Sequence, residues 1–255
     1  MKKTSRREAL SISAFSLIGA SMGLAAGFEK EDSVNNRTNE PLKMVVFGAH
    51  PDDPETGCGG TMLLWADAGH KVISAYLTKG EAGIQGKSYS EAAKIRTKEA
   101  EKACRILNAQ PVFLNQIDGA CEINQEKYDE VFQFLKKEQP DIVLTHWPID
   151  THRDHRICSI LVYDAWLRSG RMFSLYYYEV MSGQQSQNFN PTSYVDIGSV
   201  IRRKHEACFV HESQMIKKHY DESHTQMEIF RGYECGCKYA EAFIHHIQSV
   251  PVALK

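Results

Sequence analysis

The chain contains no Cys-x-x-Cys pair, although seven cysteines are spread through its 255 residues. That argues against a thiolate zinc knuckle. An odd, scattered set reads as small buried hydrophobes, with no disulfide assigned. Only Cys235 and Cys237 stand close together. An excess of charge of one sign is missing too: 30 Lys and Arg stand against 32 Asp and Glu, a formal net charge of -2. This leaves no basic footprint for nucleic acid and no acidic tail. No G-x-G-x-x-G occurs, which weakens a nucleotide-binding reading. There is no internal repeat, and no apolar run inside the chain is long enough for a membrane span.

Hydrophobic residues make up 42% of the chain, enough for one good-sized core in a single domain. Residues 1–27 stand apart from it. Lys2, Lys3, Arg6 and Arg7 form a basic start, residues 10–24 are rich in Ala, Ser, Gly, Leu and Ile, and small residues surround Ala25 and Ala26. That is the layout of a signal peptide, so the expected location is periplasmic or extracellular. Residues 5–10 resemble a twin-arginine export signal, but Ala9 stands where that signal prefers phenylalanine, and the general secretory route stays open. Cleavage removes four basic residues and one acidic, leaving 26 against 31, and keeps all 11 histidines. Residues 28–42 are polar, contain Pro41 and read as a linker to a domain over residues 43–255.

Within that domain the spacing predicts strands at residues 43–49, 71–78, 111–114 and 141–145. Helices are expected at 58–68, 90–107 with Ser90 as N-cap, 125–138 and 155–168. Two further strands are expected at 174–180 and 193–197, then helices at 199–209, 213–230 and 233–247. The alternation implies an α/β fold: a Rossmann-like open, mostly parallel sheet with helices on both faces.

Residues 45–61 read V-V-F-G-A-H-P-D-D-P-E-T-G-C-G-G-T. A buried strand here delivers His50, Asp52 and Asp53 at its C-terminal end, where α/β sheets carry their sites. One imidazole and one carboxylate can hold a metal while the neighbouring carboxylate stays free to work on water. The strand at 141–145 repeats the pattern, ending in H-W-P-I-D-T-H-R-D-H-R at residues 146–156. In a doubly wound sheet the two ends share an edge, so His155 can complete a set with His50 and Asp53 and leave one position for water. His152 is one helical turn from His155, so both can face the metal. Asp154 can orient a ligand histidine through its second nitrogen.

A-H-P-D-D at residues 49–53, G-C-G-G-T at 57–61 and H-R-D-H at 152–155 resemble the PIG-L/LmbE-like family of zinc-dependent de-N-acetylases, which act on N-acetylglucosaminyl compounds. The similarity covers residues 43–168 and, more loosely, the remainder. It implies zinc as cofactor with His50, Asp53 and His155 as ligands, and Asp52 as the base that deprotonates the zinc-activated water. It implies that His152, as imidazolium, stabilises the oxyanion or protonates the leaving amine, and that Asp154 supports a ligand. Glu81, in T-K-G-E-A-G, matches a substrate-touching glutamate, and Asp118 an acid that binds sugar hydroxyls. Arg96, in R-x-x-E with Glu99, matches an arginine that grips sugar or phosphate; a solvated ion pair along the helix face is the equal alternative. Pro54 stands where the family most often has glutamate, and Arg153 where proline is common.

The expected activity is therefore hydrolysis of the acetyl group from an N-acetylated amino sugar or glycoconjugate. Two alternatives use the same residues: another metal-dependent hydrolase of esters or amides, and an inactive glycan-binding homologue. Asp52, which zinc binding does not need, speaks for an enzyme. The expected partner is a small molecule or glycan bearing an N-acetyl group, without nucleic acid and without a transmembrane span in the mature chain. Export argues against a nucleotide-sugar substrate. Tyr176, Tyr177 and Tyr178 offer either sugar-stacking faces or, more simply, strand packing.

Overall fold

The computed structural model describes residues 40–254. The expected signal segment, and the linker as far as residue 39, lie outside the described residues. The elements are β1 (Lys43–Gly48), α1 (Asp53–Asp67), β2 (Lys71–Tyr76), α2 (Tyr89–Leu107), β3 (Gln110–Phe113), α3 (Gln125–Glu138) and β4 (Ile142–His146). They continue with α4 (Arg153–Arg168), β5 (Ser174–Tyr178), β6 (Ser193–Asp196), α5 (Ile201–Phe209), the single turn α6 (Ile216–His219), α7 (His224–Cys235) and β7 (Ala240–His245). No helix among the described residues is long and apolar enough to cross a membrane.

The strands form one sheet in the order β3-β2-β1-β4-β5-β7-β6. β1 to β5 are parallel, and β7 runs antiparallel between β5 and β6. Side chains alternate across β1 into two cores. Met44 and Val46 join Met62 and Trp65 of α1 and Leu107 of α2 on one face, while Val45 and Phe47 join Leu135 of α3 and Leu161 and Trp166 of α4 on the other. A sheet buried on both faces is what near-continuous apolar strands require. The chain steps outward from β1 to β3, then returns to the other side of β1 for β4. The crevice at that reversal lies outside the carboxyl ends of β1 and β4, where open α/β sheets take their ligands.

Several elements differ from the sequence expectation. α1 begins at Asp53 rather than residue 58, because Pro54 is preorganised for a first turn and the Glu55 carboxylate accepts the Asp52 amide at 3.2 Å. The glycines behind it serve packing: a Cβ on Gly57 would stand 2.5 Å from the Tyr178 ring, and one on Gly60 would stand 2.4 Å from Ile197. The N-cap of α2 is Ser88, not Ser90; its hydroxyl accepts the Glu91 amide at 3.3 Å. The single helix expected over 213–230 is broken, with Met215 in the left-handed region (φ 51°) between a short 3-10 turn and α6. The helix expected over 233–247 is not formed. α7 stops at Gly236 (φ 81°) and the chain re-enters the sheet as β7.

Candidate active site

His50 and Asp52 leave β1 on the short turn before α1, and Asp53 is the first residue of that helix. Asp52 has φ 118° and ψ -26°, a strained backbone for any residue with a Cβ. Its own carboxylate is turned to Arg96, whose Nη2 donates to it at 3.0 Å and also to the Pro51 carbonyl. Behind Asp52, the Glu55 that takes its amide is fully buried and accepts the Tyr76 hydroxyl, with His211 Nε2 at 3.6 Å. Burial pushes the Asp52 pKa up to about 6 against the pull of the Arg96 guanidinium.

The second half of the site comes from β4 and the start of α4. His152 is the N-cap of α4, and its Nδ1 accepts the Asp154 amide at 3.2 Å. That bond requires a lone pair on Nδ1, so the ring is the neutral tautomer with its proton on Nε2. Burial, then the nearby His50 and His155, lowers its pKa in the same direction. His155, one turn on, has Nε2 3.4 Å from Asp53 Oδ1 and Nδ1 3.3 Å from Asp150 Oδ1. His50 is arranged the same way: Nδ1 lies 3.4 Å from Asp53 Oδ2, while Nε2 meets Asp118 at 3.1 Å and Asp154 at 3.3 Å.

Thus His50 Nδ1 and His155 Nε2 both approach the Asp53 carboxylate, and the opposite nitrogen of each ring faces another carboxylate. Donors about 2.1 Å from a tetrahedral zinc stand roughly 3.4 Å from each other, and each imidazole meets Asp53 at that spacing, though through different oxygens of the carboxylate. The field agrees. Burial opposes a charge on His155, yet Asp53 and Asp150 raise its pKa to about 9; the carboxylates around His50 raise its pKa as well. Carboxylates that favour protons on buried imidazoles favour a cation between them. Among the described residues, those able to group around an ion form three sets: His50 with His152 and His155, Asp53 with His146 and His155, and His50 with Asp118 and Asp154. The expected His50, Asp53 and His155 are shared between these sets rather than forming one of their own.

His146, the last residue of β4, stacks on His155 with ring centroids 4.0 Å apart. Its Nε2 lies 3.3 Å from Asp53 but accepts the Ala49 amide at 3.0 Å, which occupies that lone pair. Burial, then His155, pushes its pKa down to about 4. His50, Asp52, Asp53, Arg96, Asp118, His152 and His155 all line one open cavity of about 430 Å³.

The softer expectations fare unevenly. Arg96 and Glu99 are both buried, and they do not pair as a solvated helix face: Glu99 accepts the Ser213 amide and hydroxyl at 2.9 and 2.6 Å. Glu81 does not line the cavity; its carboxylate accepts the Lys79 and Asp118 amides, each at 3.2 Å. Asp154 is fully buried, accepts the Gly119 amide at 2.7 Å, and supports His50. The three tyrosines of β5 are buried packing, with the Tyr178 hydroxyl donating to the Phe47 carbonyl at 2.8 Å. Two further histidines come to the site from outside both motifs. His211 backs Glu55, and His224 lines the cavity beside Gln214 and Ile216. No local pattern marks them, since α5 to α7 reach the site only through the tertiary fold.

The family model for PIG-L, the GlcNAc-PI de-N-acetylases, matches residues 45–166. Those residues form a PIG-L domain. The protein is similar to the diacetylchitobiose deacetylase of Thermococcus kodakarensis, with 28% identity across 82% of this chain and 84% of that protein. It is also similar to the solved N,N'-diacetylchitobiose deacetylase of Pyrococcus horikoshii: TM-score 0.72 and 27% identity, covering 85% of this chain and 88% of that one. A third relative, the 4-oxalmesaconate hydratase of Pseudomonas putida, is 26% identical across 77% of this chain and 82% of its own length. That hydratase makes the choice of reaction a matter for the site itself.

Proposed function

We propose that this protein is a zinc-dependent hydrolase that removes the acetyl group from an N-acetylated amino sugar or glycoconjugate of the N-acetylglucosaminyl type. The observation that carries the reading is Asp52: a carboxylate free of the converging His50, Asp53 and His155 donors, yet lining the same cavity. Zinc held by those three residues supplies Lewis-acid polarisation of the amide carbonyl and acidifies a water molecule. Asp52 takes the proton of the attacking water, and a pKa near 6 suits a base that must later return it. His152 donates from Nε2 to the oxygen that gains charge, as a neutral imidazole rather than the imidazolium the resemblance implies. As the C–N bond breaks, Asp52 passes its proton to the nitrogen, and acetate and a free amine leave.

Arg96 holds Asp52 in place, and Asp118 and Asp154 fix the tautomer of His50. The open, polar cavity suits a hydroxyl-rich substrate, and the two diacetylchitobiose deacetylases support a sugar. Residues 1–27 support work outside the cytoplasm, tested by finding the chain, shortened by that segment, in the envelope or medium fraction; uncut chain retained in the cytoplasm refutes it. The activity is tested by screening zinc-loaded mature protein for acetate release over N-acetylated sugars and oligosaccharides. Acetate and free amine in equal amounts are expected. Water addition to an unsaturated acid, with no acetate from any N-acetyl compound, would overturn the proposal in favour of a hydratase.

A further inference from the structure

Cys235 and Cys237 lie far along the chain from both site motifs, at the turn where α7 gives way to β7. The other five cysteines are buried, and several sit against hydroxyl groups: Cys104 against Tyr76 and Cys208 against Tyr220, at 3.4 and 3.6 Å. Cys235 is exposed and Cys237 half-buried, and their sulfurs are 3.4 Å apart. The turn enforces this approach. Gly236 sits at φ 81°, a conformation side chains rarely adopt, and a Cβ on Gly232 would stand 2.7 Å from the Lys238 backbone. The end of α7 is therefore folded tightly back on the start of β7. The Cys237 sulfur is further fixed by the Tyr239 carbonyl at 3.3 Å.

We propose that Cys235 and Cys237 form a reversible dithiol–disulfide pair, oxidised by exchange with a small-molecule disulfide. The more exposed Cys235, as thiolate, attacks one sulfur of the reagent; a new S–S bond forms, the reagent's own S–S bond breaks, and one reagent thiolate leaves. Cys237, as thiolate, then attacks the Cys235 sulfur and expels the second reagent thiolate. The two protons released by the cysteines go to the two leaving thiolates, so the protein loses two electrons and the reagent gains them. The order of attack follows access: burial, then the Cys235 contact, pushes the Cys237 thiol up to about 11, so it is the poorer first nucleophile. An exposed bond across so short a segment belongs to the labile class rather than the structural one.

The geometry makes the test clean, because Arg231 and Lys238 bracket both cysteines in one tryptic peptide, residues 232–238. Folded full-length protein is equilibrated with mixtures of reduced and oxidised glutathione, quenched with an alkylating agent and digested. The expected result is loss of both alkylation sites from that peptide together, its mass lowered by two hydrogens, with the five buried cysteines still thiols. Cys235→Ser should abolish the loss and leave Cys237 alkylated or carrying one glutathione. The folded chain should reach half-oxidation at a lower proportion of oxidised glutathione than the same chain in urea. Two separate glutathione adducts, two alkylated thiols under excess oxidant, or identical titrations folded and unfolded would each overturn the proposal. Catalysis is not expected to change, since neither residue touches the cavity.

Discussion

Removing the Arg96 guanidinium tests how Asp52 is set up for proton transfer. Arg96 is 3% exposed; its Nη2 lies 3.0 Å from the Asp52 carboxylate, and its Nη1 lies 3.9 Å from Asp118. A hydrogen bond to a charged group contributes about 1.5–3 kcal/mol. At about 1.36 kcal/mol per pH unit, Arg96→Ala should raise the Asp52 pKa by roughly one to two units. The sign is fixed by the role: the base works ionised, so activity is present above the pKa and lost as pH falls through it. From a starting value of about 6, the ionised share at pH 7 should drop from about nine-tenths to between a half and a tenth. The acid limb of kcat/KM for acetate release, measured from about pH 5 to 9 at matched zinc content, should move upward by that amount. Activity should recover in alkali. Arg96→Lys keeps the charge but loses the planar fork, and should shift the limb less. An acid limb that stays in place in Arg96→Ala would refute the assignment of Arg96 as the residue that holds Asp52 ionised.

Three further substitutions separate chemistry, metal and fold. Asp52→Asn should lower kcat by about 10²–10⁴ while zinc content by atomic absorption stays near one per chain, whereas His155→Ala should lose the metal itself; equal zinc loss in both would place Asp52 among the ligands. Glu241→Ala removes a buried carboxylate that accepts the Gly60 and Thr61 amides, each at 2.8 Å, and pairs with Lys204 at 2.8 Å. Breaking such a buried pair should destabilise the fold by about 3–5 kcal/mol in urea unfolding, and a change under about 1 kcal/mol would show that Glu228, also 2.8 Å from Lys204, satisfies the ammonium alone.

What the sequence made legible is local. Strand and helix periods from β1 to α4 are set by alternating apolar residues and by caps within the same segment, and α3 falls on the expected residues 125–138. The two polar clusters are legible because each follows its strand directly. Beyond α4 the signals mislead. The sequence of β7 suggests a helix because its strand identity depends on β5 and β6 beside it and on Lys204, which pairs with Glu241. Its own six residues, A-E-A-F-I-H, suit either state. Glu81 shows a different limit. Motif position brings it near the site, but whether a carboxylate faces ligand or backbone is decided by which amides the loop leaves unpaired, here those of Lys79 and Asp118.

The charge arrangement gives the two adjacent aspartates different surroundings, in line with the proposed division between base and ligand. Asp53, Asp118, Asp150 and Asp154 each contact His50 or His155, so their negative charge converges on the region where those two imidazoles meet. Without a divalent ion that charge is balanced by protons on the histidines, which is why both imidazoles are more basic than usual despite burial. Asp52 is compensated differently, by the fixed Arg96 guanidinium. Its main compensating charge lies outside the His50–Asp53–His155 set, although Asp53 and His50 also act on it, the first raising and the second lowering its pKa. The strained turn at φ 118° is what separates the two aspartates, sending one toward the converging imidazoles and the other toward Arg96.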